Sequence, residues 1–76
     1  LIIPKGQYCS LNDFLEGADD KFIAGFMKAI KKVVDVSKLN NGYRLITNIG
    51  NFGGQEVPHL HFHLLSGKPL TKLVSD

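Results

Sequence analysis

Apolar positions recur along this chain with two different periods, and the change of period divides it into elements. Phe22, Ile23, Phe26, Met27, Ile30, Val33 and Val34 fall near a 3.6-residue repeat. That spacing lays one apolar stripe along a helix. Asp19-Asp20 precedes the stripe and places negative charge at the positive end of the helix dipole. Lys28, Lys31 and Lys32 lie off the stripe, toward the C-terminal end. Gly25 interrupts the helix at a cost of roughly 1 kcal/mol against alanine, which points to a close contact there. Upstream, Ser10-Leu11-Asn12-Asp13 offers an N-cap serine with an acidic residue three positions on, a variant of the capping box. The short helix it starts runs through Phe14-Leu15-Glu16 and stops at Gly17.

Elsewhere the period is two. Leu1 to Ile3 are β-prone, and Pro4 ends that run. Asn40-Asn41-Gly42 is a turn signal, and Tyr43 to Asn48 reads as a strand with Tyr43, Leu45 and Thr47 on one face. His59-Leu60-His61-Phe62-His63 alternates without a break into Leu64. A strand over these residues carries three imidazoles on one face and Leu60, Phe62 and Leu64 on the other. Strand, helix, helix, strand, strand predicts an α+β fold, one long and one short helix packed on an antiparallel sheet.

Composition narrows the function classes. A chain of 76 residues holds one domain at most, and so short a chain is marginal without extra burial. A hydrophobic fraction of 43% argues against disorder. The formal charge of +2 is spread out, with only Lys31-Lys32 adjacent, so no basic groove for nucleic acid is indicated. No apolar run reaches transmembrane length and no signal peptide is visible, so no membrane partner is expected. One cysteine, Cys9, forms no internal disulfide and fits a reducing cytoplasm. With no histidine beside it in sequence, Cys9 reads as a small, partly buried residue rather than a nucleophile.

Three residues that titrate near neutrality on one strand face carry the candidate chemistry. A neutral imidazole is a good nucleophile toward phosphorus, a second protonates the leaving group, and a third orients its neighbours. Residues two apart on a strand are separated by roughly 7 Å, close enough to serve one phosphate. Gly50-Asn51-Phe52-Gly53-Gly54 precedes the histidines, and the backbone N–H groups around Gly53 to Gln55 would hold developing negative charge. No helix follows this loop, so it is not a dinucleotide fingerprint, and no Gly-Lys-Ser/Thr follows it either. Two other readings of the histidine face stand beside catalysis. One is a zinc site, weakened because the outer two imidazoles are too far apart on a flat strand and only Glu56 is an acidic candidate nearby. The other is a non-catalytic module that retains a nucleotide pocket. Arg44 and Lys68 read as solvated charges, with approach to a phosphate as the alternative for Lys68.

Together, His59-Leu60-His61-Phe62-His63, the approach Gly53-Gly54-Gln55, Asn48 at the end of the preceding strand and the tail Leu64-Leu65-Ser66-Gly67-Lys68-Pro69-Leu70 resemble the histidine triad (HIT) family. Within it they look most like the Hint branch of nucleotide-binding hydrolases. The opening Leu1-Ile2-Ile3-Pro4-Lys5 resembles an interior strand of that family, which has a further segment before it. The resemblance therefore implies a single HIT-like domain over residues 1–76 that is incomplete at its N-terminus, and ribose and base contacts that come largely from the preceding segment. It implies that His61 takes the nucleotidyl group, that His63 contacts the phosphate and helps the leaving group depart, and that His59 supports the site through hydrogen bonds. By the same resemblance Asn48, Gly54, Gln55 and Val57 match the phosphate end of the site, Val57 through its backbone. Glu56 stands where some Hint proteins carry a serine that handles the leaving group, which bears on leaving-group preference. The implied substrates are purine nucleoside phosphoramidates, cleaved without a required cofactor; zinc would be adventitious. A cytoplasmic homodimer is implied. The alternatives are a diadenosine polyphosphate hydrolase of the same family and a non-catalytic nucleotide-binding regulator.

Overall fold

The computed structural model describes residues 1–69; Leu70, the last residue of the tail singled out above, and the rest of the expected domain to 76 lie outside it. Four elements follow in order: α1 (Leu11–Gly17), α2 (Asp20–Val36), β1 (Arg44–Ile46) and β2 (His63–Leu65). The expected α+β arrangement is observed, with β1 and β2 antiparallel.

Both helices begin where their caps place them. The Ser10 hydroxyl accepts from the Asp13 N–H at 3.3 Å, and the Asp19 carboxylate accepts from the Phe22 N–H at 2.7 Å. Each satisfies a helix N–H that has no partner within the helix. The Asp13 carboxylate reaches one residue further back than in a capping box and accepts from the Cys9 N–H at 3.2 Å. The end of α2 carries no glycine. Lys38 takes the left-handed conformation there at φ 55°. The Lys38 N–H donates to the Asp35 carbonyl and the Leu39 N–H to that of Val34, the paired bonds of a Schellman end.

The core joins the helices to the histidine-bearing segment. Phe14, Phe26, Ile30, Leu60 and Phe62 form one buried cluster, with Ile2, Tyr8, Leu45 and Ile49 packed around it. Phe26, Ile30 and Val34 are the buried line of α2, while Phe22, Met27 and Val33 on the same stripe remain exposed. The apolar stripe is thus wider than the face the described residues cover. Gly25 makes no close contact: a Cβ built on it meets nothing within 4 Å. The glycine therefore only weakens the helix. Gly25→Ala is expected to raise stability by about 1 kcal/mol. An unchanged or lowered urea midpoint would contradict that account.

The strands are shorter than their pattern. Pairing of β1 with β2 runs Arg44↔Leu65, Leu45↔Leu64 and Ile46↔His63, and stops there. Tyr43, Thr47 and Asn48 lie outside the ladder. On the opposite edge, Ile2 and Phe62 exchange two backbone hydrogen bonds of 2.9 Å, and the Leu60 N–H donates to the Tyr8 carbonyl at 2.7 Å. The histidine segment is therefore held between the N-terminal residues and β1. Its alternate residues bond to alternate sides, as a central strand requires.

Candidate active site

The triad is built on that central segment, but its first member is not in a strand. The His59 N–H donates to the Val57 carbonyl at 2.8 Å, closing a three-residue turn around Pro58. Proline has no N–H to offer a ladder, so the extended run begins only beyond it. From there the alternation holds. Leu60 is fully buried and Phe62 is buried, while His59, His61 and His63 are each half-buried. The two inward side chains anchor the segment in the core and turn the intervening histidines to the other face.

Hydrogen bonds give each ring a distinct setting. Nδ1 of His61 lies 2.8 Å from the carbonyl oxygen of His59. A carbonyl only accepts, so Nδ1 carries the hydrogen and donates, and the lone pair of the neutral ring is at Nε2. The rings of His61 and His63 meet edge to face, with centroids 5.1 Å apart. His59 has other partners. Its Nε2 is 3.1 Å from the Gly6 carbonyl and its Nδ1 is 3.0 Å from the Leu60 carbonyl. A neutral imidazole has one N–H and serves only one of these two acceptors at a time. Both surrounding oxygens are backbone, so His59 ties the triad segment to the chain before α1.

The glycine-rich loop differs from its expected use. It folds back on itself: the Gly54 N–H donates to the Asn51 carbonyl at 3.1 Å and the Gln55 N–H to the Gly50 carbonyl at 3.0 Å. Those two N–H groups are spent inside the loop and do not face a ligand. Among the described residues the next two, of Glu56 and Val57, have no backbone acceptor. Both residues are exposed just before the triad; the Gly53 N–H, one of those expected, likewise has no backbone acceptor. The side chain of Gln55 is also engaged at both ends. Its Oε1 accepts from the Gly50 N–H at 2.8 Å, and its Nε2 donates to the Cys9 carbonyl at 2.6 Å and the Val57 carbonyl at 3.0 Å. In this arrangement Gln55 braces the loop against the segment before α1.

The two adjacent glycines are needed for different reasons. Gly54 has φ 77°, a conformation that L side chains rarely adopt. Gly53 has no room, because a Cβ there would run into the backbone carbonyl of Ile49. Gly53→Ala should force the loop open and cost about 1–3 kcal/mol of stability. A urea midpoint equal to that of the parent protein would refute this steric argument.

The remaining site residues follow from the register. Asn48 lies two residues beyond the last ladder pair, Ile46↔His63, and is half-buried. Thr47, not a candidate from the sequence, donates its hydroxyl to the His61 carbonyl at 2.7 Å. Only its place at the end of a strand hinted at this. Arg44 is half-buried and engaged, contrary to the solvated charge expected. Lys68 is exposed and, with Arg44, lines a cleft of about 820 Å³ at the other end of the hairpin, not at the histidines. Cys9 is exposed rather than partly buried. Among the described residues no three His, Cys, Asp or Glu side chains gather so as to hold a metal ion. None of their helices is long and apolar enough to cross a membrane.

Known proteins share this framework. The HIT domain profile matches residues 1–70. An uncharacterised HIT-like protein of Azospirillum brasilense is 38% identical over 76 residues, covering 99% of this chain and 62% of its own length. One from Rickettsia prowazekii is 38% identical over 77 residues and is covered to 64%. A solved histidine triad protein from Clostridium difficile superposes with a TM-score of 0.76 at 37% identity, over 95% of this chain and 63% of that one. A HIT family hydrolase from Legionella pneumophila gives a TM-score of 0.74 at 37% identity, over 91% and 62%. The chain belongs to the HIT family, and it spans less than two thirds of the length of these relatives.

Proposed function

We propose that the protein is a nucleotide-binding hydrolase of the Hint type. It cleaves purine nucleoside phosphoramidates at the α-phosphate through a nucleotidyl intermediate on His61. The observation that carries this reading is the bond from His61 Nδ1–H to the His59 carbonyl, which leaves the Nε2 lone pair as nucleophile. Nε2 attacks phosphorus, the phosphorus–amine bond breaks, and the amine leaves with a proton from His63. Water then attacks the same phosphorus and returns a proton to His63. The bond to Nε2 breaks, and the nucleoside monophosphate departs. As the His61 ring gains positive charge in the first step, its bond to the His59 carbonyl strengthens, so the bond favours the transition state.

In this reading the N–H groups of Glu56 and Val57 hold the phosphoryl oxygens and Asn48 approaches from the strand end. Gly54 and Gln55 shape the loop behind them. Kinship with a solved HIT family hydrolase supports hydrolysis as the reaction class. The exposed Met27, Val33 and Val36 on α2 support a homodimer that covers them. An exposed free thiol at Cys9 fits a reducing cytoplasm.

The test is hydrolysis of an adenosine phosphoramidate by the full-length protein with a chelator present. Turnover that survives the chelator is expected. Bound nucleotide without turnover would point to the regulatory alternative instead.

A further inference from the structure

The ladder between β1 and β2 ends at Ile46↔His63, two residues short of the carbonyl that most needs holding. The His61 carbonyl belongs to the candidate nucleophile itself. It takes its hydrogen bond from the hydroxyl of Thr47, at 2.7 Å, rather than from a strand backbone. Phe62 cannot help from this side, because both of its backbone groups are bonded to Ile2 on the opposite edge. The backbone at His61 is thus fixed toward β1 by one side chain. That backbone sets the reach of the imidazole to the His59 carbonyl, 2.8 Å away, and the 5.1 Å spacing to the ring of His63.

We infer that Thr47 is a positioning residue: through the His61 carbonyl it holds the His61 ring in the Nδ1–H form, with Nε2 presented for attack. The catalytic consequence rests on the hydrolase reading above; the structural one does not. Loss of the hydroxyl leaves a half-buried carbonyl without its donor. The segment between Leu60 and Phe62 then settles in more than one orientation, and the His61 ring loses its single partner.

Thr47→Val in the full-length protein keeps the side-chain shape and removes the hydroxyl, while Thr47→Ser keeps the hydroxyl. Two readouts are compared with the parent: imidazole nitrogen chemical shifts by NMR, and hydrolysis of an adenosine phosphoramidate. In the parent, His61 should show one tautomer protonated at Nδ1. In Thr47→Val the two tautomers should mix, kcat should fall about ten- to a hundredfold, and KM should stay within about twofold. Thr47→Ser should restore both the shifts and kcat. Should the valine variant fail to fold, Thr47→Cys, of similar volume and a poor donor, takes its place with the same expected mixing. Unchanged His61 shifts on loss of the hydroxyl overturn the inference whatever the turnover, and so does failure of serine to restore them. An inactive parent protein would instead sink the hydrolase reading, with the ring shifts still deciding the role of Thr47.

Discussion

His61→Asn is expected to lower turnover of an adenosine phosphoramidate by about 10⁴-fold or more while leaving nucleotide affinity within a few-fold. Asparagine is chosen for a geometric reason. Its side-chain amide places an N–H near the position of Nδ1, so the 2.8 Å bond to the His59 carbonyl can be kept. What disappears is the lone pair at Nε2 and nothing else in the hydrogen-bonding frame. In the proposed site the Glu56 and Val57 N–H groups and Asn48 remain, which is why binding should persist. Equilibrium dialysis of labelled AMP alongside the rate assay separates the two quantities. Turnover retained within tenfold would remove His61 from the nucleophile role.

Phe14→Ala should be the most damaging single change to stability, at about 3–5 kcal/mol. Phe14 is 2% exposed and meets three other rings edge-on, with centroids 5.1 Å from Tyr8, 6.0 Å from Phe22 and 5.4 Å from Phe26. The cavity left by the ring would open in the cluster that also holds Leu60 and Phe62, the two side chains that anchor the triad segment. Stability and the histidine geometry are therefore coupled through one cluster. Fully exposed Phe52 is the control: its truncation to alanine should change the unfolding free energy by no more than about 0.5 kcal/mol. Equal urea midpoints for the two variants would contradict this placement of the core.

The helices were legible in the sequence because what defines them is local. Ser10 and Asp19 cap N–H groups three residues on, and the stripe on α2 repeats every turn. The triad pattern was legible for the same reason, since Leu60 and Phe62 alternate with the histidines over five positions. The strand ends were not. Pro58 closes a turn that takes His59 out of the ladder, and the hydroxyl of Thr47 replaces the ladder at His61. The roles of Gln55 and His59 depend on carbonyls at Cys9 and Gly6, which are 46 and 53 residues away. Any backbone carbonyl offers the same acceptor, so no residue type marks those partners in advance. The width of the α2 stripe was visible, but which of its residues are covered depends on what packs against them. Met27 and Val33 share the period of Phe26 and Ile30 and remain outside.

The most direct test of the covalent route is the stereochemistry at phosphorus. An adenosine phosphoramidate made chiral at the α-phosphorus, by sulfur in place of one oxygen, is hydrolysed by the full-length protein in oxygen-labelled water. Transfer to His61 and then to water inverts the centre twice, so net retention is the expected result. Net inversion would mean that water attacks directly, and the nucleotidyl-histidine intermediate would have to be abandoned.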